Sequence, residues 1–240
     1  MSAMVEPLAQ SPVPARPQII ALVDDDRNIL TSVSIAMQGE GFVTRLYPDG
    51  EAALKALIEN PADLGHLKRL ARHPKFKGVR PMIQDLPDDA WMLRDDVQWA
   101  FRALCNLGLR FDALGFPRHI APFQTLLRRY PSMPVVLDHC LKPQIHGHPE
   151  GFQDWADGLS RLADDSFACV KFSALITEDR PEWSVDRLRP YADHIFDRFG
   201  AERVMWGSDW PVCRLRGEYA DWHAAALTLT DGLSEIDRTL

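Results

Sequence analysis

Residues 203–211 read RVMWGSDWP. A short apolar run of strand length breaks into Gly-Ser-Asp, and Pro211, with no N–H, cannot continue a ladder. Asp209 is thereby expected at the carboxyl end of a strand. The pattern recurs upstream. KGVRPMIQ (77–84) carries Arg80 and Gln84, and LRFDALG (109–115) carries Asp112. MPVVLDHC (133–140) ends in Asp138 and His139, and FACVKFSAL (167–175) carries Lys171. Between these runs lie stretches of helical period: HLKRLARHP, DVQWAFRALCNLG with Gly108 as its stop, HIAPFQTLLRRYP, GFQDWADGLSRLADD, VDRLRPYADHIFDRFG and YADWHAAALTLT. Strand and helix in strict alternation predict an α/β protein with mainly parallel strands.

The N-terminal quarter has another character. Residues 1–63 hold 4 basic and 9 acidic side chains, and all seven tryptophans lie after residue 90. The first 17 residues, rich in Pro, Ser and Ala, read as a flexible lead-in. QIIALV (18–23) predicts a buried strand, followed by a helix whose apolar stripe is Ile29, Leu30, Val33, Ile35, Ala36 and Met37. FVTRLYP (42–48) predicts a second strand, and DGEAALKALIEN (49–60) a helix ended by Pro61. The order is β-α-β-α. Asp24, Asp25 and Asp26 crowd the end of the first strand, where they can cap the following helix or ligate a hard cation.

The net charge of −7 argues against a nucleic-acid partner and against an anionic membrane surface. No apolar run approaches the length of about 20 residues that a membrane span needs. The start lacks a basic then apolar leader, which predicts a cytoplasmic protein. Cys105, Cys140, Cys169 and Cys213 form no CxxC pair and are expected as buried, reduced thiols. His146 and His148, in QIHGHPE, are expected on an exposed loop.

Residues 18–64 resemble the start of a bacterial response-regulator receiver domain, a flavodoxin-like fold. In such a domain Asp24 and Asp25 would match the acidic pair that holds Mg²⁺. The resemblance then stops, because no phosphoacceptor Asp, Thr/Ser or Lys of that family follows. From about residue 65 to 240 the chain resembles the amidohydrolase-2 family, in its lactonase branch. HPKFKGVRPMIQD, LRFDAL, PVVLDHCLKP, VKFSALITE and RVMWGSDWPV carry that resemblance. It implies a (β/α)8 TIM-barrel-like fold. The fold is then a hybrid or incomplete barrel, since the family's opening D-x-H-x-H-like strand and its final helix are lacking and the receiver-like segment stands first.

The resemblance implies hydrolysis of a small sugar lactone or related carboxylate. A lactonase must polarise a carbonyl, activate water and hold an anionic intermediate. Asp209 is expected as general base and His139 as its partner at the carbonyl or at a metal. Arg80, Gln84, Lys171 and Trp210 are expected to bind substrate. One divalent metal, Zn or Mg/Mn, would fall to Asp24, Asp25 and His139; a metal-independent reaction is the alternative. Two rivals stay open, a signalling or interaction module and an inert fusion. The oligomeric state, including a homo-oligomer, is left open.

Overall fold

The computed structural model describes residues 19–23, 27–47, 61–146 and 150–238. The acidic cluster Asp24–Asp26, His148 and the helix expected over 49–60 lie outside the described residues. The chain divides into two compact units, residues 1–53 and 54–240.

In the first unit, strand β1 (Ile19–Val23), helix α1 (Arg27–Gly39) and strand β2 (Val43–Tyr47) follow in order. The strands pair in parallel, Ile19 with Val43 through Val23 with Tyr47. The helix buries Leu30 and Ser34, while Ile29, Val33 and Ile35 are exposed. That corrects the stripe expected from the sequence. Its helix–strand contact is partly polar: Ser34 Oγ lies 2.5 Å from Thr44 Oγ1, and Gln38 Nε2 donates to both hydroxyls.

The second unit opens with helix α2 (Pro61–Leu70). Pro61 starts a helix here; at a first position its missing N–H costs no intrahelical bond. Five short strands follow: β3 (Gly78–Val79), β4 (Arg110–Ala113), β5 (Val135–Leu137), β6 (Cys169–Phe172) and β7 (Val204–Trp206). They form one parallel sheet in chain order, as successive β/α steps of a barrel must. Helices α3 (Gln98–Leu107), α4 (Ile120–Arg129), α5 (Glu150–Asp165), α6 (Val185–Phe199) and α7 (Tyr219–Leu229) alternate with the strands. The architecture is α/β and TIM-barrel-like, with five consecutive strands of parallel sheet among the described residues.

Local chemistry explains the boundaries. Gly108 ends α3 in the left-handed region, its N–H bonding back to Leu104 and Cys105. The Ser184 hydroxyl caps α6 by accepting from the Arg187 N–H. β3 is far shorter than KGVRPMIQ suggested, and a helical turn at Ile83–Asp85 follows Pro81. The core is one cluster, in which Phe111, Phe172 and Leu137 from the sheet meet Phe123, Trp155, Phe199 and Trp222 from the helices. Among the described residues no helix is long and apolar enough to cross a membrane.

Candidate active site

The reactive side chains gather where β3–β7 end. The centre is Asp138, directly after β5 and fully buried. Arg80 Nη1 donates to its Oδ2 at 2.8 Å. Lys171 Nζ lies 2.7 Å from its Oδ1, an ion pair set off the line of a hydrogen bond. Lys171 also reaches Asp112 Oδ2 at 3.4 Å. Burial pushes the Asp138 carboxyl up, yet the net effect is below its ordinary value. The largest opposing pull is the His139 charge, followed by Lys171 and Arg80. Burial, and then the charge of Asp138, raise the proton affinity of Asp112.

His139 follows, and its backbone is unusual. His139, Cys140, Leu141 and Lys142 all have φ near +50° (50, 53, 55 and 49°), with no glycine among them. An L-residue in that region costs ~1–2 kcal/mol. Such conformations persist only when the surroundings overdetermine them. Here they do. The Lys142 N–H bonds to the His139 carbonyl at 2.8 Å. The Trp155 indole donates to the Cys140 carbonyl at 2.8 Å, and Cys140 Sγ donates to the Lys171 carbonyl at 3.2 Å. Cys140 and Leu141 are fully buried.

The His139 ring is thus aimed. Its Nδ1 lies 2.7 Å from Ser173 Oγ, and its Nε2 lies 3.5 Å from Asp209 Oδ1 and 3.7 Å from Asp138 Oδ2. A proton on Nε2, facing two carboxylates, with Ser173 donating to Nδ1, is the tautomer this surrounding favours. Burial lowers the imidazole pKa to about 4, so the ring is neutral near pH 7. Asp209, just after β7, also has a left-handed backbone, φ 54°. Thr177 Oγ1 donates to its Oδ2 at 3.3 Å, and the Trp222 indole donates to the Gly207 carbonyl at 2.8 Å. Burial raises the Asp209 pKa to about 6. A neutral imidazole and a carboxylate titrating near neutrality are a donor and a base in one place.

Of the residues singled out from the sequence, Asp209, His139, Arg80 and Lys171 converge. Lys171 turns inward, and Arg80 and Lys171 both pair with Asp138. Trp210 is 64% exposed beside Asp209. Gln84 Nε2 reaches Asp85 of its own segment at 3.4 Å, and the Gln84 backbone carbonyl accepts from Arg118 at 3.0 Å. A cavity of about 280 Å³ is lined by Arg80, Asp112, Lys171, Val136 and Met205 among others. Ser173, Thr177 and the hub role of Asp138 were missed. Asp138 had a signal, since a carboxylate at a strand end between two basic strand ends must find a partner. His146 is exposed and bonds the Glu178 carbonyl through Nδ1 at 3.0 Å. All four cysteines are free thiols, with Cys140 and Cys213 buried and the other two half-buried.

A profile of the amidohydrolase family matches residues 41–239. The chain belongs to the amidohydrolase-2 family. The match begins inside the stretch 18–64 that resembles a receiver, so the two readings overlap over 41–64. An L-fucono-1,5-lactonase of Burkholderia ambifaria is 43% identical over 165 residues, covering 68% of this chain and 55% of that protein. An L-fucono-1,5-lactonase of Burkholderia multivorans is 30% identical over 161 residues, covering 62% and 53%. This amidohydrolase thus spans about half the length of the relatives it matches. A crystal structure of a Burkholderia multivorans amidohydrolase with bound zinc superposes with a TM-score of 0.71 at 25% identity, over 91% of this chain and 78% of that one.

A divalent ion can be tested against the side chains of this amidohydrolase. His139 Nε2 and Asp209 Oδ1, 3.5 Å apart, could take two corners of a zinc tetrahedron. The next donor, Asp138, is already neutralised by Lys171 and Arg80, whose charges oppose a dication. Among the described residues no group of three His, Cys, Asp or Glu could hold a metal. Among the described residues no third donor joins His139 and Asp209, and Asp24 and Asp25, expected with His139 at a metal, lie outside the described residues.

Proposed function

We propose that this amidohydrolase is a lactonase, opening a small sugar lactone or a related carboxylate by adding water. The observation that carries the reading is the Asp209–His139 pair, a carboxylate with a pKa of about 6 at 3.5 Å from a neutral imidazole. The named activity of the two Burkholderia relatives supports it. Asp209 takes a proton from water as the water oxygen bonds to the ring carbonyl carbon, and the carbonyl π pair moves to its oxygen. His139 Nε2–H donates to that oxygen. On collapse the C–O bond of the ring breaks, and the proton held by Asp209 passes to the departing ring oxygen. The product acid loses its proton to solvent, and Asp209 returns to its starting state.

Arg80 uses one of its five N–H donors on Asp138, and its side chain is 45% exposed, so it can also receive a substrate oxygen. Lys171 holds Asp138 charged and faces the cavity. Trp210 would cover an apolar face of a sugar ring, and Gln84 would line the rim. The four free thiols fit a reducing compartment such as the cytoplasm. The acidic balance fits a small-molecule partner and no nucleic acid.

The test is hydrolysis of a panel of aldonolactones by the wild type and by Asp209→Asn, with chelator and with added Zn²⁺, Mn²⁺ or Mg²⁺. The expected result is wild-type turnover that Asp209→Asn lowers ~10²–10⁴-fold and that chelator leaves intact. A folded wild type without turnover would sink the reading. A second reading concerns residues 18–64, which we propose to be receiver-derived; the parallel β1–α1–β2 unit supports this. Mg²⁺ titration of the wild type against Asp24→Ala/Asp25→Ala checks whether the acidic pair still binds a cation, and equal affinity would remove that role.

A further inference from the structure

The left-handed turn at residues 139–142 has a second product besides the aim of His139. It carries Lys142, three residues on, into the same neighbourhood. The Lys142 side chain is only 18% exposed, and its ammonium lies 5.3 Å from the centre of the Phe116 ring. Its nearby carboxylate, Glu178, is 3.9 Å away, beyond hydrogen-bond reach. Burial raises the proton affinity of Glu178, which weakens its hold on a cation. Glu178 directly follows Thr177, whose Oγ1 lies 3.3 Å from Asp209 Oδ2, so the ammonium and Asp209 meet the same short segment. A half-buried ammonium with three N–H donors and a loose partner is prepared for an acceptor that is not part of the protein. The ammonium thus stands at the segment that also contacts Asp209, the group that would activate water.

We propose that Lys142 is a second substrate-contacting donor of this site: with His139 Nε2–H it binds the carbonyl oxygen as water adds and the carboxylate that results. The turn is then an anion-binding element built from side chains. This rests on the lactonase reading for its kinetic part only. It also explains why the strained backbone carries no glycine, since His139 and Lys142 must both bear side chains.

Lys142→Met, Lys142→Arg and Lys142→Gly decide the matter, with folding checked by circular dichroism. Lys142→Gly suits the positive φ and keeps the test open should Lys142→Met fail to fold. The first readout is kcat and KM on an aldonolactone that the wild type cleaves. Loss of the ammonium is expected to lower kcat ~100-fold or more with little change in KM, and Lys142→Arg to recover part of it. The second readout is binding of the matching aldonate by calorimetry, expected to weaken at least ~10-fold without the ammonium. Unchanged kcat and unchanged aldonate affinity in both Lys142→Met and Lys142→Gly would overturn the proposal. Aldonate binding that depends on Lys142, in a wild type that cleaves no lactone, would uphold this role while the lactonase reading falls. A folded wild type that neither cleaves lactones nor binds aldonates would overturn both.

Discussion

After β5 and again after β7 the chain leaves the sheet through a turn held by an indole N–H fifteen residues downstream. Trp155 donates to the Cys140 carbonyl and Trp222 to the Gly207 carbonyl, both at 2.8 Å. Each turn presents one reactive group on a left-handed backbone, His139 in one and Asp209 in the other. There the likeness ends. The first turn has four left-handed residues in succession, with Asp138, Cys140 and Leu141 fully buried. The second has one, and it runs among exposed side chains: Trp206, Trp210, Val212 and Leu215. The indole bond fixes where each turn leaves the sheet. The reactive side chains themselves are about equally covered, His139 13% and Asp209 9% exposed, so the turns differ in the packing of the residues that flank them.

The largest effects should fall on rate. Asp209→Asn is expected to cost ~10³-fold in kcat and His139→Gln ~10²-fold, because the base is irreplaceable while the donor shares its task. Steady-state kinetics on one lactone would show the order, and a reversed order would break the contrast. The pH profile of kcat/KM should have an acid limb near the Asp209 pKa of about 6 and none from His139 above about pH 4.

Stability against pH should separate the turns next. The folded-state pKa of Asp209 lies above its ordinary 3.8, so its contribution is neutral below that value and turns unfavourable as pH rises through about 6. The full cost is about 3 kcal/mol at neutral pH, on an order-of-magnitude scale. Asp209→Asn should therefore be more stable than the wild type at pH 7, with the gain vanishing below about pH 4. His139 acts oppositely: its pKa falls from 6.5 to about 4, so acidification through that window costs stability. Thermal melts from pH 4 to 8 check both signs.

Smaller still is the loss of one indole bond. Trp155→Phe and Trp222→Phe should each cost about 1–3 kcal/mol in urea unfolding, the former more, because no water can reach the Cys140 carbonyl. Equal costs would mean that burial does not distinguish the turns. The smallest change should come from Thr177→Val, which removes a bond favouring the charged carboxylate and moves the acid limb up.

The alternation of strand and helix was legible because VVL (135–137), buried at every position, and Gly108, at a left-handed helix end, each follow from a local rule. Asp209 and His139 were legible as polar groups ending apolar strands. The turn that unites His139 with Lys142 was not, since left-handed backbone is ordinarily announced by glycine and DHCLK has none. Its cause is tertiary: the Trp155 indole bonds the Cys140 carbonyl, and the Cys140 thiol bonds the Lys171 carbonyl. Pro61 reads only as the end of a helix over 49–60, which lies outside the described residues; that it also opens a helix, Pro61–Leu70, was not legible, since a proline can end one helix and begin the next. Lys171 was ambiguous because only the buried Asp138 decides which way a strand lysine turns.

The paired indoles have a consequence for observing the molecule. Both Trp155 and Trp222 are fully buried, and each N–H is engaged with the carbonyl of one turn. Their protons can trade with heavy water only when that turn lets go. Two indole resonances, followed as they fade, would act as separate clocks, one timing the release of the loop that carries the imidazole and the other that of the loop that carries the base.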